Sequence, residues 1–238
     1  MNYVVLNGYR STLIKGLLIS ELPPITKPMQ RTSIEEIDGR DGDIITKLGY
    51  AAYDKKMTIG CYGDFNIDDI VQYFNSEGEV VFSNEPDKYY KYVILNQIDF
   101  ERLCRFKTAN VVFHVQPFKF SSVDEEMAFE NPSYDWVSIR NNGNVISRPT
   151  IKIEGSGTIA LTLHDVQEFT LTLGTNDNII LDGVSLNAYT ESAGGYRSLY
   201  NRHVVGNMKN LWLPIGNSAI EWSGTVTKIS VKDSSRWI

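Results

Sequence analysis

The 238-residue chain is poor in the residues that most readily betray a chemistry. It has two cysteines, Cys61 and Cys104, far apart and in no paired motif. A disulfide-framed secreted domain is not indicated, and a reducing site of synthesis fits better. Its three histidines, His114, His164 and His203, stand apart from one another and from both cysteines, so the close ligand spacing of a zinc motif is missing. Basic residues number 23 against 29 acidic ones, a net charge of −6. A dedicated nucleic-acid binder would show the opposite excess. No run approaches the ~20 apolar residues of a spanning helix. The first residues lack the basic start, apolar stretch and cleavage site of a secretion signal, so a protein made and kept in the cytoplasm is expected.

Catalytic motifs are absent too. There is no Gly-x-Ser-x-Gly elbow and no phosphate-binding Gly-x-x-x-x-Gly-Lys loop. Gly155-Ser-Gly157-Thr-Ile-Ala160 has the letters of a dinucleotide fingerprint, but a strand follows it where a helix N-terminus is required. Glu154, Asp165, Asp182 and Glu221 could supply a glycosidase pair only by chance convergence. The expectation is a protein with no enzymatic activity, no cofactor and no metal.

What the chain has is apolar residues at 42%, charged residues at 22% and aromatics at 11%, enough for one large packed domain or two small ones. Charge divides unevenly: 14 basic and 20 acidic residues precede Asn131, and nine of each follow. Most of the first half reads as short strands rich in β-branched and aromatic residues, including residues 13–19, 30–37, 55–61 and 98–106. Residues 66–74 differ. Ile67, Ile70, Val71 and Phe74 form one helical stripe, with Asn66 as N-cap, Asp68 and Asp69 at the positive end of the dipole, and Gly78 as a stop. The acidic run Asp124-Glu125-Glu126 and the turn Asn131-Pro132-Ser133 suit a linker, which places a boundary near Asp135. Beyond it, Ile151/Ile153, Ile159/Leu161/Leu163 and Phe169/Leu171/Leu173 alternate with period two. Residues 155–157 read as a hairpin link. About nine short strands without a helix, among them residues 150–154, 158–164, 167–173, 178–181, 210–213, 219–223 and 225–231, point to a sandwich of jelly-roll type.

Two surface features stand out. Gly39-Arg40-Asp41-Gly42 follows a strand and forms a tight reversal, a candidate interface turn in which Arg40 could pair with a carboxylate on a neighbouring subunit. Tyr89, Tyr90, Trp212 and Trp222 are a candidate aromatic contact surface, and Trp212, Trp222 and Tyr196 could mark a carbohydrate face.

Four segments, taken in order, resemble the distal tail protein (Dit) family of siphophages and prophages of Gram-positive bacteria. They are the strand with Gly39-Arg40-Asp41-Gly42; the helix at 66–74 leading into Phe82-Ser-Asn-Glu-Pro-Asp-Lys-Tyr-Tyr; Val137-Ser-Ile-Arg-Asn-Asn-Gly143 with Ser147-Arg-Pro149 through Gly157; and Leu211-Trp-Leu-Pro214-Ile-Gly216-Asn217 with Gly224. The resemblance implies a mainly β protein. Residues 1–135 would be a β-sandwich-like, ring-forming domain with one short helix, and residues 136–238 a galectin-like or jelly-roll β-sandwich. It implies a homo-hexameric ring at the virion tail tip, assembled in the host cytoplasm. The ring would join the major tail (tube) protein to the tail-associated lysin or hub protein and to receptor-binding or baseplate proteins. DNA would pass through its channel without specific binding, and no membrane would be engaged. No loop is long enough for the inserted sugar-binding modules of larger members. The alternative is a carbohydrate-binding module adhering to host cell-wall saccharides.

Overall fold

The computed structural model describes residues 1–123, 126–163 and 167–238, with the side chain of residue 176 left aside. His164, Asp165 and the Asp124-Glu125 part of the acidic run lie outside the described residues. The chain forms two compact units, Met1–Ser122 with Ile238, and Val123–Trp237. This division falls before the Asp135 read from the sequence, because residues 127–130 pair within the second unit.

The first unit contains β1 (Val4–Leu6), β2 (Tyr9–Arg10), β3 (Leu17–Glu21), β4 (Gln30–Glu35), β5 (Ile44–Tyr50), β6 (Tyr53–Cys61), α1 (Ile67–Phe74), β7 (Glu77–Phe82), β8 (Lys88–Ile94), α2 (Phe100–Phe106) and β9 (Thr108–Ser121). Its main sheet has the order β2-β1-β7-β8-β9-β6-β3. Alternation along β6 and β9 turns Met57, Ile59, Val111, Phe113 and Val115 inward, where they are fully buried.

Helix α1 forms where the spacing predicts it, and the Asn66 side chain accepts the Asp68 N–H at 3.0 Å. The stripe is rotated, however. Val71 is exposed while Tyr73 is buried. The Tyr73 hydroxyl lies 2.9 and 3.0 Å from the carbonyls of Val4 and Tyr9, a bond that a valine could not make. The helix ends at Phe74, and Gly78 lies inside β7 with φ +134°, where a Cβ would collide with Asn7 Oδ1 at 2.2 Å.

Helix α2 corrects the strand expected at 98–106. Asp99 accepts the Arg102 N–H at 2.8 Å, Glu101 pairs with Arg105 at 2.7 Å, and Leu103 is buried. Ile98, Phe100 and Leu103 satisfy a strand pattern loosely, but the cap and the i,i+4 pair belong to a helix.

The second unit contains β10 (Met127–Glu130), β11 (Trp136–Asn141), β12 (Thr150–Leu163), β13 (Gln167–Asp182), β14 (Asn187–Glu191), β15 (Arg197–Leu199), β16 (Val204–Val205) and β17 (Gly216–Lys232). They lie in one sheet of order β10-β17-β12-β13-β14-β15, with β11 also paired to β17 and β16 to β13. Three predicted strand pairs are thus single long strands. Residues 155–157 are not a hairpin link but a bend inside β12, where its registers with both β13 and β17 shift. Glycine is required there. A Cβ on Gly155 would sit 2.1 Å from the Thr225 carbonyl oxygen, and one on Gly224 2.5 Å from that of Thr158. The sheet therefore curls about these glycines and wraps a core in which Ile151, Ile153, Ile159, Leu161 and Leu163 are all fully buried. Residues 210–213, expected as a strand, form a short 3₁₀ turn (Met208–Asn210) and a single bridge from Leu213 to Ser147.

Candidate assembly interface

Strands β4 and β5 pair only with each other and contain no fully buried residue. An isolated two-stranded hairpin is at best marginal in water. Yet this one carries apolar side chains outward. Ile34 lies opposite Ile45 in the register, and the two are 59% and 60% exposed. Leu48, which occupies the bulge between the Arg31 and Thr32 pairings, is exposed as well. Arg31 Nη2 donates to the Leu48 carbonyl at 3.4 Å across that bulge.

The turn at 36–43 caps this arm. Gly39 and Gly42 have φ +81° and +80°, and the Arg40 N–H donates to the Ile37 carbonyl at 3.1 Å. Arg40 and Asp41 are exposed at the tip, and Arg40 forms no ion pair among the described residues. Glu35, Glu36, Asp38, Asp41 and Asp43 surround that single arginine.

The strap that leads into the arm, residues 22–29, contains Pro23, Pro24 and Pro28. Prolines have no N–H, so this segment is held largely through its carbonyls. Asn84 Nδ2 donates to Pro23 at 3.0 Å, Lys55 Nζ to Pro24 at 2.8 Å, and the Tyr53 hydroxyl to Thr26 at 3.4 Å. The Ala51 N–H donates to Met29 at 2.9 Å, where the arm begins.

Lys55 is 2% exposed, and its amine lies 4.8 Å from the centre of the Tyr90 ring. Next to it, buried Glu85 accepts from Lys119 Nζ at 2.5 Å and from the Tyr90 hydroxyl at 2.5 Å. Lys119 is thus paired with this buried carboxylate, and Lys55 feels its charge without bonding to it. Burial pulls the Lys55 amine down to about 8; Glu85 opposes this and Lys119 adds to it. Burial, and then the bond to Glu85, hold the Tyr90 hydroxyl far above the usual phenol range.

The ordinary lysine value is 10.5. Between about pH 8 and 10.5 the folded state has released the Lys55 proton and the unfolded state has not, so stability rises with pH across that window. A neutral amine still donates to Pro24. Urea denaturation is expected to show the stability of the wild type gaining on that of Lys55→Met as pH rises from 8 to 10; parallel profiles would contradict it.

The sequence-derived surface is only partly on the surface. Tyr90 is fully buried in the first core and Trp222 is 6% exposed in the second, so neither forms a contact face. Each points inward on its strand because its neighbours of the same parity, Tyr92 and Ile220, do so. Tyr89 is half-buried, stacked on Phe120 with ring centres 5.4 Å apart. Trp212 is half-buried between buried Leu211 and Leu213. Tyr196 is 80% exposed. The Gly39–Arg40–Asp41–Gly42 turn is exposed, and it lies far in sequence from these aromatics.

No family model matches the sequence, and no curated protein matches it. Among solved structures, the SPP1 Dit (gp 19.1) protein aligns over 98% of both chains with a TM-score of 0.66 and 16% identity. The chain has the Dit fold. SPP1 Dit is described as a paradigm of the hub adsorption apparatus in phages that infect Gram-positive bacteria. Two phage p2 baseplate structures, in the activated conformation with Ca and with Sr, align over 98–99% with TM-scores of 0.48 and 0.49 and identities of 7% and 8%. Those scores are too low to add to the Dit likeness. Among the described residues no cluster of His, Cys, Asp or Glu could hold a metal, and no helix is long and apolar enough to cross a membrane.

Proposed function

We propose that the chain is a structural, non-catalytic tail-tip protein of a siphophage or prophage. In this reading six copies form a ring that joins the tail tube to the hub or lysin and the host-binding proteins, and surrounds part of the DNA conduit. The observation that carries it is the Dit fold across the whole chain, both units included. The first unit would form the ring and the second would project as the galectin-like arm.

The hairpin arm supports the same reading. A surface element with outward isoleucines needs a partner. The first unit also has a groove of about 500 Å³ in which Leu6, Tyr9, Leu13, Ile14 and Tyr73 alternate with polar and charged side chains. An arm seated in the groove of the next copy is a heterologous contact, and such contacts close into a ring where the rotation between copies closes. The acidic tip would then lie where a channel needs to repel phosphate rather than bind it.

Size-exclusion chromatography with light scattering, followed by negative-stain imaging, tests the proposal. The expected result is a six-fold ring with six times the 26.9 kDa chain mass. A strict monomer, alone and on incubation with tail-tube and hub proteins of the same virion, would overturn it.

A further inference from the structure

The curled sheet of the second unit has an outer face as well as a core face. The register defines a row across it: Trp136 of β11 lies opposite Glu221 of β17, Glu221 opposite Thr162 of β12, and Thr162 opposite Glu168 of β13. Partners across an antiparallel ladder project to the same side. Val137, Ile220, Leu163 and Phe169, their sequence neighbours, are buried on the other side. At strand spacing the row spans about 14 Å. The next row continues with Ser223, Ala160, Thr170 and Val205. Apart from Trp136 and Val205 at its ends, this surface is built of hydroxyls, small side chains and two carboxylates.

At one edge stands an exposed aromatic pair. Trp136 is 51% and Tyr134 71% exposed, with ring centres 6.4 Å apart and planes at 43°. The segment carrying them is fixed, because the Trp222 N–H donates to the Asp135 carbonyl at 2.9 Å. Neither Glu221 nor Glu168 forms an ion pair among the described residues, whereas Glu154, Glu191 and Glu130 of this sheet do, and its Asp177 and Asp182 accept hydrogen bonds from Tyr200, Val184 and Ser185.

We infer that this face binds a neutral or amino-bearing saccharide chain. A sugar presents C–H bonds polarised by neighbouring oxygens, which suit the negative face of an indole. It also presents hydroxyl donors, which suit unpaired carboxylates that only accept. Two or three sugar units match the length of the row. A protein partner would want an apolar, charge-depleted centre, and here the centre is Glu221 and Thr162. An anionic polymer would meet two carboxylates. This inference is independent of ring assembly, since it concerns a face built within the second unit alone.

The test is tryptophan-fluorescence and NMR titration of the full chain with N-acetylglucosamine tetramer, galactose oligomers and rhamnose oligomers, with poly(glycerol phosphate) as the anionic control. Saturable binding of at least one neutral oligomer is expected, weakened about tenfold or more by Trp136→Ala and severalfold by Glu221→Gln. Thermal melting should be unchanged, because both side chains are exposed. Trp212→Ala serves as the control and should leave affinity unaltered. Absence of binding across the panel, binding that survives Trp136→Ala, preference for the phosphate polymer, or a change of oligomeric state in place of lost sugar binding would each overturn the inference.

Discussion

The double variant Ile34→Lys, Ile45→Lys is expected to remain folded and to lose ring assembly. The two side chains face each other on a hairpin that contributes no buried residue to the core of its own chain. Removing them from water in an assembly would contribute about 1.5–3 kcal/mol each, and a ring loses those contacts at every joint. Adjacent ammonium groups add like-charge repulsion across the pair. Light scattering should then report monomers at concentrations where the wild type is expected to form the proposed ring, with circular dichroism and melting temperature unaltered. Leu13→Asp, in the groove, should give the same result through the other half of the joint. Rings formed as readily by the double variant would remove the arm from the interface.

The second large effect belongs to Glu85→Ala. It takes away the buried carboxylate that pairs with Lys119 and accepts from Tyr90, leaving the Lys119 amine without its ion-pair partner and the Lys55 amine without the charge that opposes its burial. Truncating one member of a buried ion pair typically costs about 3–5 kcal/mol, a large share of the stability of a small domain. Equilibrium unfolding should show a loss of that order in the first unit. The strap should loosen as well, because Lys55 holds Pro24; hydrogen exchange at Ala51, whose N–H bonds to Met29, reads this directly. Glu85→Gln should fall between, since an amide oxygen still accepts. A Glu85→Ala protein as stable as the wild type would show the cluster to be incidental.

Some of this was legible in the sequence. The mainly β character, two-part organisation, first helix and exposed turn at 39–42 follow from alternation, capping and glycine placement. Lys55 was legible in principle, since it shares parity with Met57, Ile59 and Cys61 on β6 and must therefore point inward. Trp136 was legible by the same rule, because Val137 and Ile139 take the inward positions. What escaped was non-local. Gly155 and Gly224 resemble turn residues in a linear reading, and only the pairing of β12 with β17 shows that they are bends where backbones approach too closely for a side chain. Helix α2 escaped because seven residues carry too few apolar positions to separate a period of two from one of 3.6.

The long curled strands also bear on how the protein is made. Strand β12 begins with Thr150, which pairs with Lys232 near the end of the chain. During synthesis β12 can form a ladder with β13 soon after both leave the ribosome, but its other edge must wait for β17, which is translated well after both. Loop closure over that distance is entropically costly and slow. The first unit, built almost wholly from Met1–Ser122, can fold while the second still exposes an unpaired, apolar strand edge. Half-built sheets are the form most open to wrong pairing, so the speed with which β17 docks is expected to decide how many chains go astray.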